Sequence, residues 1–189
     1  MPDFHIHVAG DDLVFSAGHF IAFEGGGCER LHGHTYRAAA DVFGPLNSSE
    51  YVLDFSAVRN ALKGILAELD HRVLLPTQSV AIRVSPQAGQ VEVTFGDCPD
   101  FRGHRGAAVV DENGTVPFGP RRWSLPEGDC LLLPMANTTT EALAQYVGER
   151  LTAALKSACG VAPSRMRIEI SEGAGCAAIC DWRRQAATS

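Results

Sequence analysis

Residues 28–36 read CERLHGHTY, which places a thiol, a carboxylate and two imidazoles within a few positions of one another. His32 and His34 form an H-x-H pair at the entry to a strand pattern. Side chains at i and i+2 of a strand share a face, so both imidazoles can address one ion. His19 lies on the preceding β run, and a turn through Gly25, Gly26 and Gly27 would fold it back beside them. Three neutral imidazoles with a fourth position open form the donor set of a catalytic zinc, whereas a structural zinc is closed by four protein ligands. Cys28, four residues before His32, has two roles open to it. It could close the site as a ligand, or stand a few ångströms off as a thiolate stabilised by the ion. Taken alone, H-x-H is more simply a pair of partly exposed polar side chains. His5 and His7, with no third partner in view, are read that way.

Asp70-His71 is the other reactive pair, at the end of a helical pattern. A carboxylate beside an imidazole orients and charges a proton-transfer histidine. The plainer alternative is a surface helix cap.

These side chains need a frame. FHIHV at 4–8 alternates, and LVFSAGHF at 13–20 is a second β run; TYRAAADVF at 35–43 is a third, ended by Gly44-Pro45. Phe55, Val58, Leu62, Ile65, Leu66 and Leu69 then recur with helical period, with Asp54 or Ser56 as N-cap. VAIRV at 80–84 and VEVTF at 91–95 predict a hairpin, and DENG at 111–114 signals a second. CLLLPMAN at 130–137 reads as a short buried strand. A second helix follows, capped within Thr138–Thr140 and lined by Leu143, Val147, Leu151 and Leu155, with Glu141 at its positive end. SRMRIEIS at 164–171 and AAICDW at 177–182 close the chain as strands. The order predicts an α+β fold with helices on one sheet face.

The 189 residues fit one domain, and 46% apolar with 20% charged residues is ordinary for a globular core. A net charge of −6 disfavours general nucleic-acid binding, which needs a clustered basic surface. The N-terminus lacks the pattern of a signal peptide and no apolar run is long enough to span a bilayer, so a cytoplasmic protein with no membrane partner is expected. In that compartment disulfides are not expected. Cys98, Cys130, Cys159 and Cys180 are read as small buried hydrophobes and Cys176 as structural.

Six elements together carry a resemblance: FSAGHF (15–20), CERLHGHTY (28–36), LDF (53–55), LDHRVL (69–74), TTTEALA (138–144) and IEISEG (168–173). In this order they resemble the 6-pyruvoyl/6-carboxy-tetrahydropterin synthase family, over residues 4–75 and 130–182. The resemblance implies the T-fold, an antiparallel sheet with two long helices packed on one face. It implies a homo-oligomer, a hexamer built as a dimer of trimers, or a smaller ring if the insert interferes. It also implies Zn2+ held by His19, His32 and His34, with Cys28 as proton-abstracting thiolate. Asp70 and His71 would form a second acid/base relay and Glu172 would anchor the pterin. Thr139, Thr140 and Glu141 would match further pterin-side and relay positions.

The substrate implied is a pterin triphosphate, 7,8-dihydroneopterin triphosphate. The C-x-x-x-H-G-H spacing resembles the branch that forms 6-carboxy-5,6,7,8-tetrahydropterin, a queuosine precursor, with loss of acetaldehyde and triphosphate. The alternatives are the pyruvoyl-forming branch and a folate-branch relative that cleaves the side chain with a glutamate, for which Glu29-x-x-His32 also fits. Zinc favours a thiolate at neutral pH, which places Cys28 ahead of Glu29. A catalytically silent zinc- or pterin-binding ring protein is the non-enzyme alternative, against which Cys28, Asp70 and His71 together argue. Residues 1–189 then form a single synthase domain with a β-rich insertion at about 72–136. The insertion carries Arg102, His104, Arg105, Arg121 and Arg122 and reads as a sheet extension or oligomer contact, or more sharply as an altered triphosphate site. Arg30, Arg37 and Arg72 are further candidates for the triphosphate.

Overall fold

A computed structural model describes residues 4–23, 28–95, 108–111, 114–117, 121–173 and 175–183. Among the described residues the strands form one seven-stranded sheet, one three-stranded sheet and one two-stranded sheet. Packing groups the chain into two units, the first comprising Met1–Ser16, His34–Asp70 and Thr140–Ser189, the second Ala17–Gly33 and His71–Thr139.

In the first unit β1 (Phe4–Val8) and β11 (Arg165–Gly173) both pair antiparallel with β3 (His32–Gly44), and β12 (Cys176–Arg183) pairs antiparallel with β11. Alternation decides what each strand buries: Ile6 and Val8, then Tyr36, Ala38, Ala40 and Val42, then Met166, Ile168 and Ile170 all point inward. Register aligns these rows, with Ile6 opposite Val42 and Val42 opposite Met166. Helices α1 (Phe55–Leu69) and α2 (Thr140–Cys159) cover that face, burying Val58, Leu62, Ile65, Leu66 and Leu69 from one and Leu143, Val147, Leu151 and Leu155 from the other. Gly148 lets α2 approach closely, since a Cβ there would lie 3.2 Å from Ile168. Asp54 caps α1 by accepting from the Ser56 amide at 2.7 Å. The helix stripe is narrower than the period predicts, because Phe55 is 58% exposed.

In the second unit β4 (Arg72–Pro76) runs parallel to the end of β2 (Val14–His19) and to β10 (Cys130–Leu133). These parallel pairings contrast with the antiparallel pairings of β1, β3, β11 and β12. Parallel neighbours need a long crossover connection, and the chain between β4 and β10 supplies one. That crossover folds as an antiparallel sheet of β5 (Ile82–Gln87), β6 (Gln90–Phe95) and β9 (Arg121–Pro126). A separate hairpin joins β7 (Ala108–Asp111) to β8 (Gly114–Pro117). The apolar side of the three-stranded sheet forms a cluster of Phe20, Cys28, Leu75, Ile82, Val91, Val93, Phe95 and Cys130, with Trp123 stacked on Phe20 at 4.9 Å.

Among the cysteines, Cys130 is buried as expected, but Cys159 and Cys176 are exposed and Cys180 is half-buried. Cys159 ends α2 away from its apolar stripe, and Cys176 opens β12. Cys98, the Gly25–Gly27 turn, Arg102, His104 and Arg105 lie outside the described residues.

Candidate metal centre

His19 is the last residue of β2 and is 1% exposed; His32 opens β3 and His34 follows two positions on. One donor atom from each lies within 4.8 Å of the others, and among the described residues this is the group of donor side chains close enough to share an ion. The His19 and His32 rings are 4.7 Å apart, inclined at 51°. Gly33 makes the arrangement sterically feasible: a Cβ there would stand 3.1 Å from the Ala17 carbonyl oxygen.

Two of the three imidazoles have their tautomer set by main-chain carbonyls. His19 Nδ1 is 2.9 Å from the Thr138 carbonyl and His32 Nδ1 is 2.9 Å from the Arg30 carbonyl. A carbonyl oxygen only accepts, so each Nδ1 carries the proton and each neutral ring holds its lone pair on Nε2. Carbonyl contacts of this kind orient metal-binding histidines and raise their basicity. These two rings together with His34 fit a tetrahedral zinc with one position left for a small oxygen ligand. Thr138 is itself fixed, its Oγ1 donating to the Phe20 carbonyl at 3.2 Å. Asn137 grips Ala22 by accepting from its amide at 3.2 Å and donating to its carbonyl at 2.8 Å, and Asn137 Oδ1 also accepts from the Thr138 amide at 3.2 Å.

Cys28 precedes the H-x-H pair by four residues. It is fully buried in the apolar cluster and does not belong to the donor group. Burial pushes its thiol up to about 11; the Arg121 guanidinium pulls the other way and the Glu29 carboxylate adds to the rise. Glu29 beside it is half-buried. Its Oε2 accepts from the Ile21 amide at 3.2 Å and lies 3.9 Å from His32 Nδ1. Its main-chain amide donates to the Ile21 carbonyl at 2.9 Å.

Asp70 caps α1, its amide donating to the Leu66 carbonyl, while its Oδ1 accepts from the Ser16 amide at 2.7 Å. His71 follows at φ 56°, in the left-handed region that a non-glycine residue enters at a cost of about 1 kcal/mol. Its exposed ring is presented where the chain turns from α1 into β4.

Glu172 sits at a bulge in β11, where the register slips between Ser171 and Gly173. A bulge re-aims a side chain out of strict alternation. Thr140, the first residue of α2, donates from Oγ1 to Glu172 Oε2 at 2.8 Å. Thr139 is half-buried and Glu141 exposed on the first turn. Arg37 pairs with Asp11 at 2.9 Å, and Arg72 donates to the Gly128 carbonyl. Of the basic residues in 72–136, Arg122 pairs with Glu92 at 2.7 Å, and Arg121 reaches main-chain carbonyls at residues 28 and 29. Neither Asn137 nor the Arg30 and Thr138 carbonyls belong to a metal-ligand motif, and a main-chain acceptor has no sequence signature.

Fold and site define an α+β enzyme domain with a three-histidine centre suited to a metal. A sequence model of the family described as 6-pyruvoyl tetrahydropterin synthase matches residues 11–182, and the chain belongs to that family. A Methanocaldococcus jannaschii relative, provisionally named a 6-carboxy-5,6,7,8-tetrahydropterin synthase, is 26% identical over 164 residues, 86% of each chain. The Bacillus subtilis 6-carboxy-5,6,7,8-tetrahydropterin synthase is 38% identical over 65 residues, 33% of this chain and 42% of its own. A Pyrococcus furiosus dihydroneopterin monophosphate aldolase is 38% identical over 60 residues, 32% of this chain and 50% of its own. Among solved structures, 6-pyruvoyl tetrahydropterin synthase from Plasmodium falciparum aligns with TM-score 0.75 and 26% identity, covering 96% of this chain and 99% of that one. The Plasmodium vivax synthase, solved as a variant with a catalytic glutamate replaced by alanine, aligns with TM-score 0.78 and 22% identity over 97% of this chain and all of that one. The fold is therefore the T-fold of this family, and the chain is a pterin synthase of lyase type.

Proposed function

We propose that the chain is a zinc-dependent synthase that converts 7,8-dihydroneopterin triphosphate into 6-carboxy-5,6,7,8-tetrahydropterin, releasing acetaldehyde and triphosphate. The observation that carries this reading is the histidine triad with two tautomers set by carbonyls. His19, His32 and His34 would hold zinc, which supplies Lewis-acid polarisation of the substrate's side-chain hydroxyls. Glu172, braced by Thr140, would accept hydrogen bonds from the guanidine-like edge of the pterin, with Thr139 and Glu141 beside it in the chain. Asp70 and His71 would form a second proton-transfer pair.

For the carbon-bound proton the geometry favours Glu29 over Cys28. The thiol is buried and burial raises its pKa, whereas the carboxylate is partly exposed and lies 3.9 Å from His32 Nδ1. A catalytic glutamate in the Plasmodium vivax synthase is in keeping with this choice. Further parts of the reading are a cytoplasmic homo-oligomer, a dimer of trimers or smaller ring, and a single synthase domain over 1–189 elaborated at about 72–136. Among the described residues no helix is long and apolar enough to cross a membrane.

The position of Glu29 also supports a second reading, cleavage of the dihydroneopterin side chain, the chemistry named for the Pyrococcus furiosus relative. One experiment separates them. Zinc-loaded protein is incubated with 7,8-dihydroneopterin triphosphate and the pterins are resolved by mass. A carboxylated pterin with acetaldehyde supports the first reading; 6-hydroxymethyl-dihydropterin replaces it with the second; a pyruvoyl pterin overturns both. Glu29→Ala should lower kcat by roughly 10²–10⁴-fold. Full activity in Glu29→Ala together with loss in Cys28→Ala would return the role to Cys28.

A further inference from the structure

The segment 72–136 reaches the loop that carries Cys28 and Glu29. Strand β9 begins with Arg121, and its Nη1 donates to the Glu29 carbonyl at 2.7 Å and to the Cys28 carbonyl at 3.3 Å. From the other side, Glu29 exchanges hydrogen bonds with Ile21 through its main-chain amide and its side-chain Oε2. The side chain of Cys28 is meanwhile buried in the apolar cluster that includes Val91, Val93 and Phe95 of β6, the strand that pairs with β9. Residues 28 and 29 are thus held by a guanidinium on their carbonyls, by an apolar anchor, and by the bridge to Ile21.

We propose that Arg121 is a positioning residue through which the 72–136 segment fixes the main chain at Cys28 and Glu29 and so sets the Glu29 carboxylate beside His32. The proposal deepens the reading of Glu29 as the proton-abstracting group and rests on it for its catalytic consequence. A charged donor to a carbonyl makes a stronger hydrogen bond than a neutral one, and the planar guanidinium can serve two acceptors at once. A lysine can restore one of the two contacts, which makes Arg121→Lys a graded probe. Cys28 serves here as the loop's anchor. The segment becomes part of the site's support instead of a peripheral sheet extension.

The test uses the full chain and two readouts. The first is alkylation of Cys28 by iodoacetamide, followed by mass spectrometry of its peptide. Because the thiol is wholly buried, its modification reports opening of this loop. Arg121→Ala should speed Cys28 alkylation by about tenfold or more, Arg121→Gln should speed it too, and Arg121→Lys should fall between Arg121→Ala and wild type. The second readout is turnover, where kcat should drop roughly tenfold in Arg121→Ala with KM within about twofold and partial recovery in Arg121→Lys. Co2+ affinity, read by absorbance, should stay near wild type, since no histidine is touched. Equal alkylation of Cys28 in wild type and Arg121→Ala, or in wild type and Arg121→Gln if the alanine variant does not fold, overturns the proposal. Wild-type protein that turns over no pterin instead removes the functional reading, while the alkylation readout still decides the role of Arg121.

Discussion

His19 donates from Nδ1 to the carbonyl of Thr138 at 2.9 Å, across 119 residues of sequence. That contact leaves the lone pair of the neutral ring on Nε2 and links the metal-capable centre to the segment leading into α2. Asn137, which holds both Ala22 and Thr138, keeps the carbonyl in place.

Loss of this support should weaken metal binding without abolishing it. Asn137→Ala should lower Zn2+ affinity by about 10-fold, in the range for losing an outer-shell partner. His19→Ala, His32→Ala and His34→Ala should each reduce zinc content after dialysis to background. Metal analysis and competition with a chromophoric chelator measure both effects. Unchanged affinity in Asn137→Ala would show that the Thr138 carbonyl does not depend on that side chain.

Cys28 should leave a signature in the alkaline limb of stability. Its thiol is raised from an ordinary value of 9.0 to about 11, chiefly by burial. The folded state therefore keeps the proton more tightly than the unfolded chain. The resulting stabilisation is complete below pH 9 and is lost as pH rises through about 11. Urea melts at stepped pH should show wild type losing stability more steeply across this window than Cys28→Ala. At pH 7, Cys28→Ala should cost about 1 kcal/mol through lost packing. Parallel pH profiles would mean that the thiol titrates normally in the folded protein.

The Thr140 and Glu172 pair should act on substrate affinity. Thr140→Val removes the hydroxyl that donates to Glu172 Oε2 while keeping a β-branched side chain at the start of α2. One lost hydrogen bond to a charged group, worth about 1.5–3 kcal/mol, should raise KM for the pterin by about tenfold or more. Glu172→Gln should raise it further, because the amide replaces a carboxylate that takes two hydrogen bonds with a group that takes one. Steady-state kinetics with 7,8-dihydroneopterin triphosphate give both values. A fall in kcat at constant KM would assign Glu172 to the chemical step.

Much of this architecture was legible from period and residue type. Both helices lie where apolar residues recur every three to four positions, and Asp54 caps the first of them. His32 and His34 share a face because a strand repeats every two residues. The 80–84 and 91–95 runs pair as the alternation predicts. The parallel pairing of β4 with β2 and β10 had no such signal, because each strand's own pattern is silent about its neighbour's direction.

Residue types and local spacing are legible in the sequence: three imidazoles, a thiol and a carboxylate, in motifs whose family resemblance implies the T-fold. On zinc chemistry alone it places Cys28 ahead of Glu29, with no measure of how deeply either side chain is buried. Tertiary structure separated them. The thiol lies buried in an apolar cluster that includes residues of β5 and β6, more than fifty positions downstream, and burial raises its pKa, while the side chain of Glu29 beside it is only half-buried. Desolvation depends on what surrounds a group in space, and spacing along the chain carries no measure of it.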